Sequence, residues 1–156
     1  MTRVYFDTSV LVAGLVVPHP HHPRALPWMA AAREARFAGV VSTHAMAETW
    51  AVLTRLPIDP PISPPAATLA VERLASFLEA VELQAAAYRA AMVRCTERGA
   101  RSGALFDALH LAAAEMFGAD LLLTFNARDF DRLTLPGSPR IVVPPEPPRV
   151  HWEFEP

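Results

Sequence analysis

The stretch that decides the fold is Val4-Tyr5-Phe6-Asp7-Thr8-Ser9, a short apolar run that ends in one carboxylate and two hydroxyls. A run of this kind is typical of a strand buried in a sheet. The acid that ends it is a poor core residue, because burying an unpaired charge is costly. We therefore expect Asp7 to organise a polar site at the end of this strand, together with other acids that the fold brings close.

The composition limits the class of protein. A chain of 156 residues favours one domain with a single core. Hydrophobic residues make up 52% of it, yet no apolar run approaches the ~18–20 residues of a membrane span, and Asp7 interrupts any export signal. The net charge of -2 argues against a generally basic nucleic-acid binder. Cys95 is the only cysteine, which fits a reducing compartment. These features predict a cytoplasmic protein without a membrane segment.

Short apolar runs alternate with longer helical segments along the chain. This alternation predicts an α/β fold, a sandwich of helices around a central, mainly parallel sheet. After the first strand, further strands are predicted at Gly39–Ser42, around 80–83, at Leu121–Thr124 and at Ile141–Val143. Helices are predicted at Arg24–Arg36, from Ser42 or Thr43 to before Pro57, at Ala66–Leu78, at Gln84–Arg98, from a cap at Ser102 to Phe117, and briefly from Asn126. Residues 1–143 then form the domain, and 144–156 form a proline-rich tail.

Several other features have simple structural explanations. Helical spacing predicts two sets of core side chains, namely Met46, Trp50 and Leu53, and Leu105, Leu109, Ala112 and Met116. The loop Pro18-His19-Pro20-His21-His22-Pro23 lacks a fixed ligand spacing, so we expect a surface loop rather than a metal site. The tail, with Trp152 and Phe154, is expected to cover a strand edge rather than bind a partner.

The order of the elements predicts which acids meet Asp7. In a parallel sheet, the strand carboxyl ends and the following helix starts lie at one edge, where ligands collect. Glu48 lies a little over one turn into the helix after the second strand, and Asp107 lies early in the helix leading into the fourth strand. Asn126 and Asp129 follow the carboxyl end of that fourth strand. All of them are therefore expected at the edge that Asp7 occupies.

The predicted site offers oxygen ligands, and its carboxylates would repel one another without a proton or a cation between them. Oxygen donors favour Mg²⁺ or Mn²⁺ over zinc. Such a cation binds phosphate oxygens and activates water, so metal-assisted phosphodiester hydrolysis is the direct hypothesis. Taken singly, Glu48 and Asp107 also suit a helix amino terminus, and Asp129 suits a helix cap. Asp120, at the start of the fourth strand, falls on the opposite edge and is excluded.

Four stretches carry a family resemblance. They are Phe6-Asp7-Thr8-Ser9, Ser42-Thr43-His44-Ala45-Met46-Ala47-Glu48, Phe106-Asp107-Ala108-Leu109-His110-Leu111-Ala112-Ala113-Ala114 and Leu123-Thr124-Phe125-Asn126-Ala127-Arg128-Asp129-Phe130. With these residues the chain resembles the PIN-domain ribonucleases, and most closely the VapC-type toxins of bacterial toxin–antitoxin pairs. The stretches occur in the family's order and span most of residues 4–143.

The resemblance implies a three-layer α/β/α fold, endoribonuclease activity that depends on Mg²⁺ or Mn²⁺, a homodimer, and inhibition by a small cognate antitoxin. It implies that Asp7 and Asp107 are the principal metal ligands, and that Glu48 completes the acidic site directly or through water. The residues implied to orient carboxylates or waters by hydrogen bonding are Thr8, Ser9 and Thr124.

Asn126 departs from the family pattern, because many members have aspartate at this position. Asp129, three residues further on, is one source of a fourth carboxylate, directly or through water. A site of three carboxylates is the other possibility, with Asn126 as a ligand for water or phosphate. The number of metal ions, one or two, stays open with this choice.

Other polar residues lie near the predicted edge. His110 follows Asp107 by three residues and shares its helix face. A packing or hydrogen-bonding role for His110 is favoured over RNA contact or acid catalysis, because hydrolysis of this kind needs no histidine. Arg98, Arg101 and Arg128 flank the edge and are candidates for binding RNA phosphates, with solvated surface positions as the alternative.

Two other functions are compatible with the sequence. One is a PIN-like binding module that has lost turnover, for which the neutral Asn126 is a hint. The other is an RNA-processing or repair nuclease that is not a toxin. The enzyme is favoured over the inactive module because three carboxylates remain.

Overall fold

A computed structural model describes residues 1–146 of the chain. Its centre is a sheet of five parallel strands in the order β3-β2-β1-β4-β5. The strands are β1 (Arg3–Phe6), β2 (Ala38–Ser42), β3 (Glu79–Val81), β4 (Leu121–Leu123) and β5 (Arg140–Val142). The predicted parallel sheet is confirmed, and it is parallel throughout this part of the chain. The expectation for Trp152 and Phe154 lies outside the described residues.

Helices cover both faces of the sheet. They are α1 (Thr8–Leu15), α2 (His22–Arg33), α3 (Thr43–Arg55), α4 (Pro64–Leu74), α5 (Ala85–Glu97), α6 (Ala104–Met116) and α7 (Ala127–Asp131). Side chains alternate along β1, so that Val4 and Phe6 pack with α1 and α2 while Tyr5 packs with α5 and α6. A strand that is apolar on both sides requires helices on both faces of the sheet. The result is the expected three-layer α/β/α architecture.

The register of the strands sets the position of the polar edge. Phe6 at the end of β1 pairs with Leu123 at the end of β4, so Asp7 and Thr124 follow side by side. Asp120 lies at the other edge, where its Oδ2 accepts a hydrogen bond of 2.8 Å from the backbone N–H of Arg3. The topological argument that separated Asp120 from the other acids is therefore correct.

Two helix starts differ from the prediction because prolines lie in the first turn. Helix α2 begins at His22 with Pro23 in its first turn, and α4 begins at Pro64 after a cap from Ser63. Proline is tolerated there because its missing N–H would have no partner inside the helix. Pro27 consequently falls in the interior of α2.

Three helix ends or caps differ as well. Helix α2 stops at Arg33 rather than Arg36, because Ala35 adopts a positive φ of 54° and ends the helix. Helix α4 stops at Leu74 rather than Leu78. The expected cap at Ser102 is wrong. Gly103 occupies the cap position of α6, and Ser102, at φ 57°, contributes only its backbone carbonyl, which accepts from the N–H of Leu105.

The predicted helical stripes are partly correct. Leu53 and Leu109 are fully buried, but Trp50 is 38% exposed and Met116 is 54% exposed. Trp50 instead anchors α3 to α4 through a hydrogen bond of 3.0 Å from its indole Nε1 to Thr68 Oγ1. Met116 is the last residue of α6, and the residues near it that pack in the core are Ala113, Ala114 and Phe117. Each helix in residues 1–146 also falls short of the length and apolar content that a membrane crossing requires.

Gly39 provides a test of the packing between β2 and the helices. A Cβ atom at this buried position would lie 2.5 Å from Leu78 Cδ2 and 3.1 Å from Ala32 Cβ. We expect Gly39→Ala to lower the free energy of unfolding by about 1–3 kcal/mol, the usual effect of overpacking.

Chemical denaturation would measure this change. Gly103→Ala is a matched control, because nothing lies within 4 Å of the position that its methyl group would occupy and the φ of Gly103 is negative. Equal effects of the two substitutions would contradict the close packing at Gly39.

Candidate functional site

Asp7 is the most deeply buried acid of the site, with 4% of its surface exposed. It is the residue before α1, and its N–H donates to Leu123 O at 3.0 Å, which extends the pairing of β1 with β4 by one residue. Its Oδ2 accepts hydrogen bonds from Ser9 Oγ at 2.6 Å and from Thr124 Oγ1 at 2.8 Å. These hydrogen bonds replace some of the hydrogen bonds to water that the carboxylate loses on burial.

The two hydroxyls around Asp7 are themselves held in place. Ser9 Oγ accepts a hydrogen bond from the N–H of Phe125 at 3.0 Å, and Thr124 Oγ1 accepts one from the N–H of Asn126 at 2.9 Å. The start of α1 is thereby tied to the turn between β4 and α7. The orientation of the Asp7 carboxylate follows from backbone positions on both sides, as is typical of groups that support a metal ligand.

His110 links four elements beneath the site. It is 1% exposed, and its Nδ1 hydrogen-bonds to the hydroxyl of Tyr5 at 2.9 Å. The Tyr5 hydroxyl also bonds to Ser42 Oγ at 2.8 Å, and Ser42 Oγ caps α3 by accepting from the N–H of Ala45. The expected packing and hydrogen-bonding environment of His110 is therefore present.

The other ring nitrogen of His110 faces the acids. Its Nε2 lies 3.3 Å from Asp7 Oδ1 and 3.3 Å from Glu48 Oε2. Burial alone would lower the pKa of His110, but the charge of Asp7 and the hydrogen bond and charge of Glu48 outweigh it and raise that pKa. The sequence prediction missed this contact with two carboxylates.

Glu48 is half-buried on α3 and lies between two imidazoles. Its Oε2 is 3.0 Å from His44 Nε2 as well as 3.3 Å from His110 Nε2. Burial acts to raise the pKa of Glu48, but the hydrogen bond of His110, the close contact of His44 and the charges of both histidines prevail and lower it to about 2. Glu48 is therefore ionised across the physiological range.

Asp107 has the opposite electrostatic environment. It lies in the first turn of α6, and burial together with the negative charges of Asp7 and Asp129 raises its pKa to about 6. The negative charges of the neighbouring acids therefore disfavour the ionised form of Asp107. A bound divalent cation relieves repulsion of this kind, so the donor chemistry fits a hard cation with oxygen ligands.

A cleft of about 360 Å³ brings these residues to one surface. The polar residues that line it are Asp7, Thr8, Ser9, Glu48, Asp107, Asn126, His19 and His21. Asp129 does not line this cleft. It borders the adjoining groove of about 380 Å³, together with Asn126 and Arg128.

Comparison with known proteins gives the family. Residues 4–135 match the family model of the PIN domain. The chain belongs to the PIN-domain family. It is 39% identical over 119 residues to ribonuclease VapC40 of Mycobacterium tuberculosis, a match that covers 74% of this chain and 81% of the relative. It is 40% identical over 126 residues to ribonuclease VapC27 of the same species, covering 80% and 85%.

Solved structures share the fold at lower identity. The M. tuberculosis toxin VapC20, described as cleaving the sarcin-ricin loop, aligns with a TM-score of 0.68 and 20% identity over 87% of this chain and 99% of that one. VapBC2 of Rickettsia felis, solved with a promoter DNA fragment, aligns with a TM-score of 0.65 and 16% identity over 91% and 98%. These likenesses support the PIN-domain fold of the chain.

The expected fourth residue of the site has two candidates. Asn126 is exposed, lines the cleft and precedes α7 without capping it through its side chain. Asp129 lies in the neighbouring groove, and its charge contributes to the raised pKa of Asp107. Asn126 thus lines the cleft itself. Asp129 lies in the neighbouring groove and affects the cleft through its charge, which raises the pKa of Asp107.

The three candidate arginines occupy different surroundings. Arg98 donates a hydrogen bond of 3.1 Å to Thr134 O, so one of its donors is already used. Arg101 is exposed just before α6. Arg128 is exposed and borders the same groove as Asp129.

The histidine loop was assigned to the surface by the sequence prediction, but it forms a wall of the cleft. His21 stacks on Phe125 with ring centroids 4.4 Å apart, and the guanidinium of Arg24 lies 5.1 Å from the same ring. His19 and His21 both line the cleft. The sequence carries no local signal for this placement, because it depends on how the loop after α1 folds back over the sheet edge.

The repulsion at Asp107 can be tested on metal-free protein. Its neighbours disfavour the charge that Asp107 carries at pH 7.5, above its pKa of about 6. We expect Asp107→Asn to raise the melting temperature of the metal-free protein by a few degrees. Differential scanning fluorimetry in EDTA would measure it.

Asp120→Asn is the matched control, because Asp120 lies on the opposite edge and accepts a hydrogen bond from Arg3. This control should show no gain in stability. A melting temperature that falls in Asp107→Asn would contradict the electrostatic account.

Proposed function

We propose that this PIN domain is an endoribonuclease that depends on Mg²⁺ or Mn²⁺ and acts as the toxin of a toxin–antitoxin pair. The observation that carries the proposal is the convergence of Asp7, Glu48 and Asp107 at one cleft. Its relatives VapC40 and VapC27, at about 40% identity, are named ribonucleases. Identity of this extent over most of both chains supports a shared reaction.

The proposed roles follow from position. Asp7 and Asp107 hold the cation, and Glu48 completes the site directly or through water. Ser9 and Thr124 fix the Asp7 carboxylate through the hydrogen bonds to its Oδ2. Asn126 or Asp129 supplies the remaining contact.

A divalent cation bound here would activate a water molecule and stabilise the leaving oxygen of the phosphodiester. The chain's own residues hold the substrate. Arg128, and more distantly Arg98 and Arg101, contact RNA phosphates, since an arginine fork matches phosphate geometry. The hydrogen bonds of Ser9 and Thr124 hold the Asp7 carboxylate in one orientation.

The proposal also includes protein partners and a cellular location. A small cognate antitoxin inhibits the enzyme, and two copies of the chain form a homodimer. Tyr88, Met92 and Val93 expose apolar surface along α5, of the kind that a protein partner covers. The buried free thiol of Cys95 supports a reducing cytoplasm.

The catalytic proposal predicts that Asp7→Asn removes RNA cleavage. The amide keeps the shape of the side chain but loses the charge that holds the cation, so we expect cleavage to fall by at least about 100-fold, the upper end of losses seen at supporting residues. Gel analysis of structured RNAs with Mg²⁺ or Mn²⁺ would measure it, and EDTA should have the same effect.

Asp120→Asn serves as the control, because it removes the same charge from the opposite edge. It should cleave RNA as the unmodified protein does. Cleavage that survives in Asp7→Asn would overturn the mechanism, and absence of both cleavage and Mg²⁺-dependent stabilisation in the unmodified protein would favour the inactive binding module.

The toxin role predicts growth arrest when the chain is expressed in a bacterial host. We expect the arrest to require Asp7 and to be relieved by co-expression of a small protein encoded next to this gene. Growth curves of the unmodified chain and of Asp7→Asn would measure it. RNA cleavage in vitro without arrest would instead favour an RNA-processing nuclease.

A further inference from the structure

The cluster formed by His44, Glu48 and His110 has a different chemistry from the acidic set. Among the described residues 1–146, these three form the group whose ligand atoms all lie within 4.8 Å of one another. Two imidazole nitrogens and one carboxylate oxygen are the donor set of many zinc sites that keep an open position, whereas Mg²⁺ is rarely bound by imidazole.

Two of the three ligand–ligand distances match those around a small transition-metal ion. Glu48 Oε2 lies 3.0 Å from His44 Nε2 and 3.3 Å from His110 Nε2. Neighbouring ligands of a tetrahedral zinc ion, with bonds of about 2.0–2.1 Å, are about 3.3–3.4 Å apart. The carboxylate is therefore already at ligand spacing from both nitrogens, and the two nitrogens lie no more than 4.8 Å apart.

Local structure pre-arranges the two ligands on α3. His44 and Glu48 are four residues apart and share one face of the helix. Helix α3 is held at its start by the Ser42 cap, which fixes the first turn that carries His44. The ring of His44 stacks on Phe106 with a centroid distance of 5.4 Å, so its orientation is restricted.

The nitrogen of His44 that faces the cluster lacks a partner. His44 Nε2 is buried and has no hydrogen-bond partner within the described part of the chain, although Glu48 Oε2 is only 3.0 Å away, because their geometry is unsuitable for a hydrogen bond. A buried polar atom without a partner is costly, and a metal ion on its lone pair removes that cost.

His110 has the supporting bond that metal-binding histidines require. Its Nδ1 is engaged by the hydroxyl of Tyr5 at 2.9 Å, and that hydroxyl is held by Ser42. His110 Nε2 is the ring nitrogen that faces the acids, 3.3 Å from Glu48 Oε2 and 3.3 Å from Asp7 Oδ1. An outer hydrogen bond of this kind fixes the ring and the tautomer of a ligating histidine.

We propose that His44, Glu48 and His110 form a binding site for a transition-metal ion of the zinc class, separate in ligand type from the acidic site for Mg²⁺ or Mn²⁺. Three protein ligands leave the fourth position for water. Zinc exceeds manganese in affinity for such donors, so the site should select zinc even beside an excess of magnesium.

Because Glu48 belongs to both sets, zinc removes this carboxylate from the acidic site. This consequence rests on the proposed nuclease function. Zinc should then inhibit RNA cleavage that is supported by Mg²⁺, at the zinc concentration that fills the histidine site.

Calorimetric titration of metal-free protein with Zn²⁺, and the visible spectrum with Co²⁺, would test the binding site itself. We expect one ion per chain with a four-coordinate Co²⁺ spectrum, and at least a tenfold loss of zinc affinity in His44→Gln. His110→Asn should lose zinc affinity as well. Because His110 is buried in the core, circular dichroism would first establish that this variant folds as the unmodified protein does.

His19→Gln is the matched control, because His19 also lines the cleft but belongs to the histidine loop. It should bind zinc as the unmodified protein does. Zinc affinity that is lost in His19→Gln and kept in His44→Gln would overturn the proposed site, as would the absence of stoichiometric binding.

Cleavage assays separate the two proposals. Zinc should inhibit Mg²⁺-supported cleavage by the unmodified protein, and cleavage by His44→Gln should lose that zinc sensitivity. Stoichiometric zinc binding in a chain that cleaves no RNA would retain the zinc site and reject the nuclease. Cleavage that is equally sensitive to zinc in both proteins would reject the regulatory consequence.

Discussion

The desolvated carboxylate of Asp7 imposes the condition that the rest of the site satisfies. A charge with 4% exposure at the end of a central strand needs donors from its surroundings. Ser9 on α1 and Thr124 after β4 donate hydrogen bonds to it, and the imidazole of His110 on α6 lies 3.3 Å from its Oδ1. The parallel sheet meets this condition because it ends β1 and β4 side by side, and α6 begins at the same edge. The fold and the acidic site therefore have a common origin.

The sequence predicted the elements whose positions depend on chain direction alone. Alternating strands and helices determine which edge Asp7, Glu48 and Asp107 share and why Asp120 is absent from it. The prediction failed where position depends on contacts between distant segments. His19 and His21 line the cleft because a loop folds back over it, and His44 meets His110 across two helices. The end of α2 at Arg33 was missed because alanine gives no signal for the positive φ that Ala35 adopts just beyond it.

The site contains opposite electrostatic environments a few residues apart. Two imidazoles lower the pKa of Glu48 to about 2, while burial and neighbouring carboxylates raise the pKa of Asp107 to about 6. One acid is thus stabilised in its charged form by the protein, and the other requires an external positive charge. Such a pair of oppositely shifted pKa values is typical of a binding site. The repulsion at Asp107 lowers the stability of the folded protein, and a bound cation restores it.

The hydrogen bond between Asp7 and Thr124 also determines when the site can exist during synthesis. Its partners are 117 positions apart, so Asp7 leaves the ribosome long before the hydroxyl that orients it has been made. The pairing of β1 with β4 has the same requirement. A growing chain therefore carries its first acid without a complete cleft, and the acidic site is assembled only after β4 and Thr124 have been made. An enzyme that acts on RNA would in this way remain inactive toward the messenger and ribosome that produce it until the segment that contains Thr124 has been read.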